Sequence, residues 1–155
     1  MTQENKELLL KDLCARIPYE VVGKCELDAP SYDTSFDTIF QTHKFDAVVY
    51  GLTEDLLFVH PLIKDKDEQE FAEEEVLKCI DILDFTPYLF PLSNMTEEEW
   101  GDYQKIRMID WVHGDINGTF INAGLIVDWL NAHHFDYRGL IEKGLAIDAT
   151  GLNIY

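Results

Sequence analysis

The chain predicts an α+β fold: a bent antiparallel sheet, with a small barrel as its closed variant, packed by helices near both ends. Three observations predict it. Apolar residues recur at helical spacing over 3–17 and again over 123–133. Between those stretches the pattern turns towards the alternation of strands, with breaks short enough for antiparallel hairpins. Thr96 then opens a third helix with the T-E-E-E pattern of a capping box, giving an N-terminal helix, a capped mid-chain helix and a C-terminal helix pair.

Taken in order, residues 3–17 place Leu9, Leu10, Leu13, Cys14 and Ile17 on one helical face. Glu7 can pair with Lys11 one turn on, and Pro18 stops the helix. YEVVGKCEL (19–27) is rich in strand formers and DAPSYDTS (28–35) in turn formers. Residues 36–63 offer three strand-like runs, 36–42, 45–51 and 55–60, broken at His43-Lys44 and at LTED. KDKDEQEFAEEE (64–75) is a charge run, either a solvated loop or the first turn of a helix. In VLKCIDIL (76–83), β-branched content and alternation favour a strand over a helix. Two prolines make FTPYLFPLSNM (85–95) mostly irregular.

The capped helix should run from Thr96 to Lys105, with three acids in the first turn to suit its dipole. IRMIDWV (106–112) reads as a strand, Asn117-Gly118 as a hairpin turn, and TFI (119–121) as the return. The helix over 123–133 sets Leu125, Ile126, Trp129 and Leu130 on one face, with Asn122 as cap. Asp136 then caps a short helix over Tyr137–Lys143 that Gly144 ends in left-handed geometry.

Residues 1–155 fit one domain with a core of its own, at 46% hydrophobic and 12% aromatic content. No apolar run is long enough to cross a bilayer, and MTQENKELLLKDLCAR lacks the apolar stretch of a signal peptide. The expected setting is therefore cytoplasmic, without a membrane. Cys14, Cys25 and Cys79 are odd in number and widely spaced, which suits small buried thiols in a reducing compartment.

Charge is the unusual quantity. The chain carries 30 acids and 12 bases, a net charge of −18. Residues 61–102 alone hold 13 acids and 3 bases. Direct binding to nucleic acid is disfavoured, because no basic stripe is present to release counterions from phosphate. The acids can instead face a basic protein partner, or imitate DNA towards a DNA-binding protein, or simply keep a small protein soluble. Glu73, Glu74 and Glu75 are the candidate partner-binding residues.

LNAHHFDYRGLIEKG (130–144) is the stretch richest in chemistry-bearing side chains, and His133, His134, Asp136, Tyr137 and Arg138 are the candidate catalytic residues. Adjacent histidines on a helix diverge by about 100°, whereas a metal pair needs i,i+3 or i,i+4 spacing. No structural metal and no cofactor are expected. HGDING (113–118) resembles half of a calcium loop, but His113 and Gly124 stand where its end ligands belong. His43 and His60 lie on expected strands without ligand-spaced partners, and the chain contains no GxGxxG, GKS/T, GxSxG or HExxH motif. The structural reading of 130–144 takes precedence: helix end, joint and cap, with Trp129, Leu130, Phe135 and Leu140 buried, and Asp136→Ala costing about 1 kcal/mol. An enzymatic reading would need a pocket joining His133 or His134 to Asp110, Asp115 or another remote carboxylate.

KELLLKDLCARIPY (6–19), TPYLFPLSNMTEEE (86–99) and DWLNAHHFDYRGLIEKGLAIDATGLNIY (128–155) together resemble a group of small uncharacterised proteins from gut Bacteroides-type bacteria, their mobile elements and their phages. The resemblance implies a cytoplasmic protein associated with a phage or mobile element, and carries over no activity. The function expected is that of a non-enzymatic acidic binding or accessory protein acting by protein–protein contact. The alternatives are a hydrolase or nucleotide-processing enzyme built on the 133–138 cluster, and a structural or assembly protein in an oligomer.

Overall fold

The structure, a computed structural model, describes residues 1–32, 38–62, 78–108 and 116–155. Helix α1 (Gln3–Arg16) begins where Thr2 accepts a hydrogen bond from the Asn5 N–H, 3.2 Å. It ends at a 3₁₀ turn, Ile17–Tyr19, that contains Pro18, and Glu20 (φ 57°) turns the chain into the sheet.

Strands β1 (Val22–Tyr32), β2 (Thr38–Leu52), β3 (Leu56–Leu62), β4 (Lys78–Asp81) and β5 (Phe85–Pro91) are followed by two short ones, β6 (Phe135–Asp136) and β7 (Ile147–Asp148). The order is β4-β3-β2-β1-β5-β6, with β7 also on β5. Pairing is antiparallel from β4 through to the β1–β5 contact and parallel where β6 and β7 join β5. The architecture is α+β, as expected, and the sheet is bent and open rather than closed into a barrel.

Within that class several elements differ from expectation. The break at His43-Lys44 does not exist: β2 runs straight through it, pairing with β1 from Val22↔Val48 to Tyr32↔Thr38. Cross-strand pairing over its whole length overrides the local turn preference, and the same ladder carries β1 into the turn-forming stretch 28–35 as far as Tyr32. The turn at LTED is real, with the Thr53 N–H donating to the Leu56 carbonyl, 2.8 Å. A bulge between Val49 and Gly51 bends β2 against β3. Residues 78–81 of the expected 76–83 strand form β4.

FTPYLFP (85–91) is a strand, not irregular chain. Its prolines sit where a missing N–H costs least: Pro87 makes the last pair with β1, at Gly23, and Pro91 is the last residue of β5. Gly23 is required there. A Cβ at this position would stand 2.6 Å from Phe85 Cε2 and 2.7 Å from the Thr86 carbonyl oxygen.

Helix α2 (Glu97–Met108) carries the capping box as read: the Glu99 N–H donates to Thr96 Oγ1, 3.2 Å, and the Thr96 N–H to Glu99 Oε2, 2.7 Å. It passes Lys105, so residues 106–108 are helical rather than the start of a strand; 109–115 lie outside the described residues. Helix α3 (Ile116–Ala132) contains Asn117-Gly118 and 119–121 in place of the expected hairpin, and Asn122 inside rather than as its cap. Asn117 and Gly118 fall in the first turn, where backbone N–H groups have no intrahelical partner anyway and poor helix formers cost little.

The core falls into three clusters, one of which joins Leu89, Leu140, Leu145 and Ala146 to Leu8 and Ile141. Leu9 and Leu13 of α1 pack with Val21, Cys25, Phe45, Ala47, Val49, Leu57, Val59, Ile80, Ile82 and Phe85 in the second. In the third, Val22, Tyr88 and Ala149 pack with Val48, Leu62, Phe90, Ile147 and Ile154. The C-terminal segment thus covers a sheet surface that would otherwise expose Val22 and Tyr88 to water. Cys25 is buried, which pushes its thiol up to about 12. Cys14 and Cys79 are exposed, contrary to the expectation of three buried thiols, and all three are free.

Candidate functional site

Residues 133–138 form the joint between α3 and the C-terminal segment, and α1 supplies its foundation. Asp12 and Arg16, one turn apart on α1, are both fully buried beside Leu9 and Leu13. Arg16 Nε donates to Asp12 Oδ2 at 2.7 Å, and its Nη2 donates to the Phe135 carbonyl, also at 2.7 Å. Arg138 Nε lies 3.1 Å from Asp12 Oδ1 as an ion pair without the alignment of a hydrogen bond. One buried carboxylate therefore sits between two guanidiniums and fastens helix to joint. Burying a charge is costly unless it is paired in this way.

Each of the five candidate side chains has a traceable place. His133 stacks on Trp129, centroids 4.0 Å apart, with its Nδ1 2.8 Å from the Trp129 carbonyl oxygen. His134 turns the other way, at a left-handed φ of 55°, and lies under Tyr155 with centroids 3.6 Å apart and planes within 10°. The two imidazoles diverge, but both lie past the end of α3, and the left-handed backbone at His134 rather than helical spacing separates them. Burial, then the charge of Arg16, then His133, lower the His134 pKa to about 4, so it is neutral at physiological pH. Tyr155 keeps 43% of its surface exposed, but its hydroxyl is inserted between strands. It donates to the Tyr88 carbonyl at 2.9 Å and lies 3.3 Å from both the Val22 N–H and its carbonyl; burial pushes the phenol up to about 12.

Asp136 holds the backbone that follows it. Its Oδ1 accepts from the N–H groups of Arg138, 3.3 Å, and Leu140, 2.9 Å, and its Oδ2 from that of Ile141, 2.8 Å. The cap is there, but the helix it was expected to start is not: Tyr137–Lys143 is a series of turns. Gly139, at φ 71°, adopts a backbone incompatible with a right-handed helix, while Gly144, at φ 67°, ends the segment as read. The C-terminal helix pair is therefore one helix and a capped turn. Two guanidiniums lie over the Tyr137 ring, Arg138 at 4.7 Å and Arg16 at 5.4 Å from its centroid.

Leu130, Phe135 and Leu140 are buried as expected, whereas Trp129 is only half-buried, with its ring against Tyr103 of α2, His133 and Phe135. Glu73, Glu74, Glu75, Asp110 and Asp115 lie outside the described residues. Among the described residues no group of three metal-ligating side chains converges, and no helix is long and apolar enough to cross a membrane. A shallow cavity of about 180 Å³, lined by Ile17, Glu20, Val48, Val49 and Tyr50, includes none of the cluster. Asp12 and Arg16 escaped the sequence reading, although an i,i+4 acid–base pair bracketing Leu13 is a legible signal. No family model matches the chain, and no curated protein and no solved structure matches it either.

Proposed function

We propose that the chain is a non-enzymatic acidic binding protein that works by contact with another protein, in the cytoplasm and in a phage- or mobile-element setting, and that its partner presents a basic surface. The observation carrying this reading is the engagement of the 133–138 cluster. Both Asp136 oxygens are taken up by backbone N–H groups, His133 by the Trp129 carbonyl and ring, and the His134 ring by Tyr155. These contacts hold the joint, with His134 engaged through the face of its ring, since its buried Nδ1 has no hydrogen-bond partner among the described residues. A net charge of −18 supplies long-range attraction for a cationic partner.

Affinity capture from the native host, followed by stopped-flow association with the purified partner, tests this. The expected result is a stoichiometric complex whose association rate falls steeply as salt is raised. A rate indifferent to salt would remove the basic partner. A catalytic turnover lost in His134→Phe at unchanged stability would overturn the non-enzymatic reading.

A further inference from the structure

We propose that the outer face of α2 is a self-complementary interface on which a second copy of this chain docks, antiparallel and about a two-fold axis. None of the 12 residues of α2 is buried, and a helix of this length is marginal in water without packing. Its aromatic contact with α3 runs through Tyr103, whose ring centroid is 5.9 Å from that of Trp129. With Tyr103 facing inward, a step of about 100° per residue places Glu98, Gly101, Lys105 and Met108 on the opposite side. Met108 is 63% exposed there.

The order of the charges points to a second copy as occupant. Glu98 and Lys105 lie equally far on either side of the midpoint between Gly101 and Asp102, and Lys105 also pairs with Asp102 of its own helix, 2.6 Å. An antiparallel helix centred on that midpoint sets Glu98 against Lys105 of the second copy, and Lys105 against its Glu98, so one pairing occurs twice. Gly101 falls at the crossing. Glycine weakens a helix interior relative to alanine, and nothing among the described residues requires it, since a Cβ there would meet none of their atoms within 4 Å. Its missing side chain lets two helix backbones approach. The helix dipole accounts for acids at the start of α2 and bases at its end. It does not account for a glycine at their midpoint.

Sedimentation velocity over a concentration series at physiological ionic strength tests the proposal. The wild-type chain is expected to dimerise. E98K and K105E should each weaken the dimer by about tenfold or more, since symmetry turns two attractive pairs into two repulsive ones. Mixing the two variants, or combining both changes in one chain, should restore it. E98K also lowers the net negative charge, so general repulsion alone would predict a tighter dimer instead. Gly101→Leu should abolish association while leaving the melting temperature unchanged or higher, because the space around Gly101 is open among the described residues. A wild-type chain that stays monomeric throughout, a dimer indifferent to E98K, or a mixture that fails to re-form it would each overturn the proposal.

Discussion

Replacing Asp136 with alanine removes the side chain that accepts from three backbone N–H groups between Arg138 and Ile141. The Leu140 and Ile141 N–H groups donate to its two oxygens at 2.9 and 2.8 Å, and the Arg138 N–H adds a longer bond of 3.3 Å. Asp136 is 9% exposed and Leu140 fully buried, so water cannot readily replace the lost acceptor. A hydrogen bond to a charged group contributes about 1.5–3 kcal/mol. Two good bonds and one weak one therefore put the loss at about 3 kcal/mol, well above the roughly 1 kcal/mol of an exposed helix cap. For a chain of this size each kcal/mol moves the melting temperature by roughly 2–4 °C, so Asp136→Ala should melt roughly 6–12 °C lower. Circular dichroism melts at neutral pH measure this directly. Asp136→Asn should fall between, keeping one acceptor oxygen but turning an NH₂ towards a backbone N–H. A loss below about 1 kcal/mol would refute the three-bond accounting. An unchanged melt with a lost activity would hand the segment to catalysis.

His134 supplies a pH dependence. Its folded pKa of about 4 lies below the ordinary imidazole value of 6.5, so between those limits the unfolded chain binds the extra proton and stability falls as pH falls. Above 6.5 both states are neutral and the term vanishes. At 1.36 kcal/mol per unit the loss approaches roughly 3 kcal/mol near pH 4, and urea unfolding of His134→Phe across this range should lack that slope; an identical slope would acquit His134. Gly23→Ala should cost about 3 kcal/mol through overlap with the Phe85 ring and Thr86 carbonyl, and Phe85→Leu in that background should recover part of it. Strictly additive losses in the double variant would show the two sites are not in contact.

What was legible in the sequence was local. The Thr96 capping box, the LTED turn, the Asp136 cap and the left-handed Gly144 are each written within a few residues and are where they were read, and α1 is where it was read with Leu9 and Leu13 inward, although Asp12 and Arg16 rather than Cys14 complete its buried face. What was not legible depends on distant partners. Nothing near FTPYLFP shows that Gly23 will clear room for Phe85, or that β6 and β7 will arrive to pair Tyr88–Pro91. Asn117-Gly118 states a turn preference that the seventeen-residue helix around it overrides. At the candidate site, the five side chains are visible in sequence, but their foundation, Asp12 and Arg16, comes from the far end of the chain.

β5 changes partners midway, and that has a consequence for how the protein is made. The β1–β2 and β2–β3 ladders join neighbouring segments and can close soon after those segments emerge from the ribosome. Tyr88, Leu89 and Phe90 instead await Phe135 and Ile147–Asp148, which are synthesised only after α2 and α3. Until then this short apolar run is a bare strand edge, open to any other unfinished chain nearby. Pro87 and Pro91 bracket it. Neither can donate to a foreign ladder, so the two residues that seemed to forbid a strand also guard it against the wrong neighbour while the right ones are still being built.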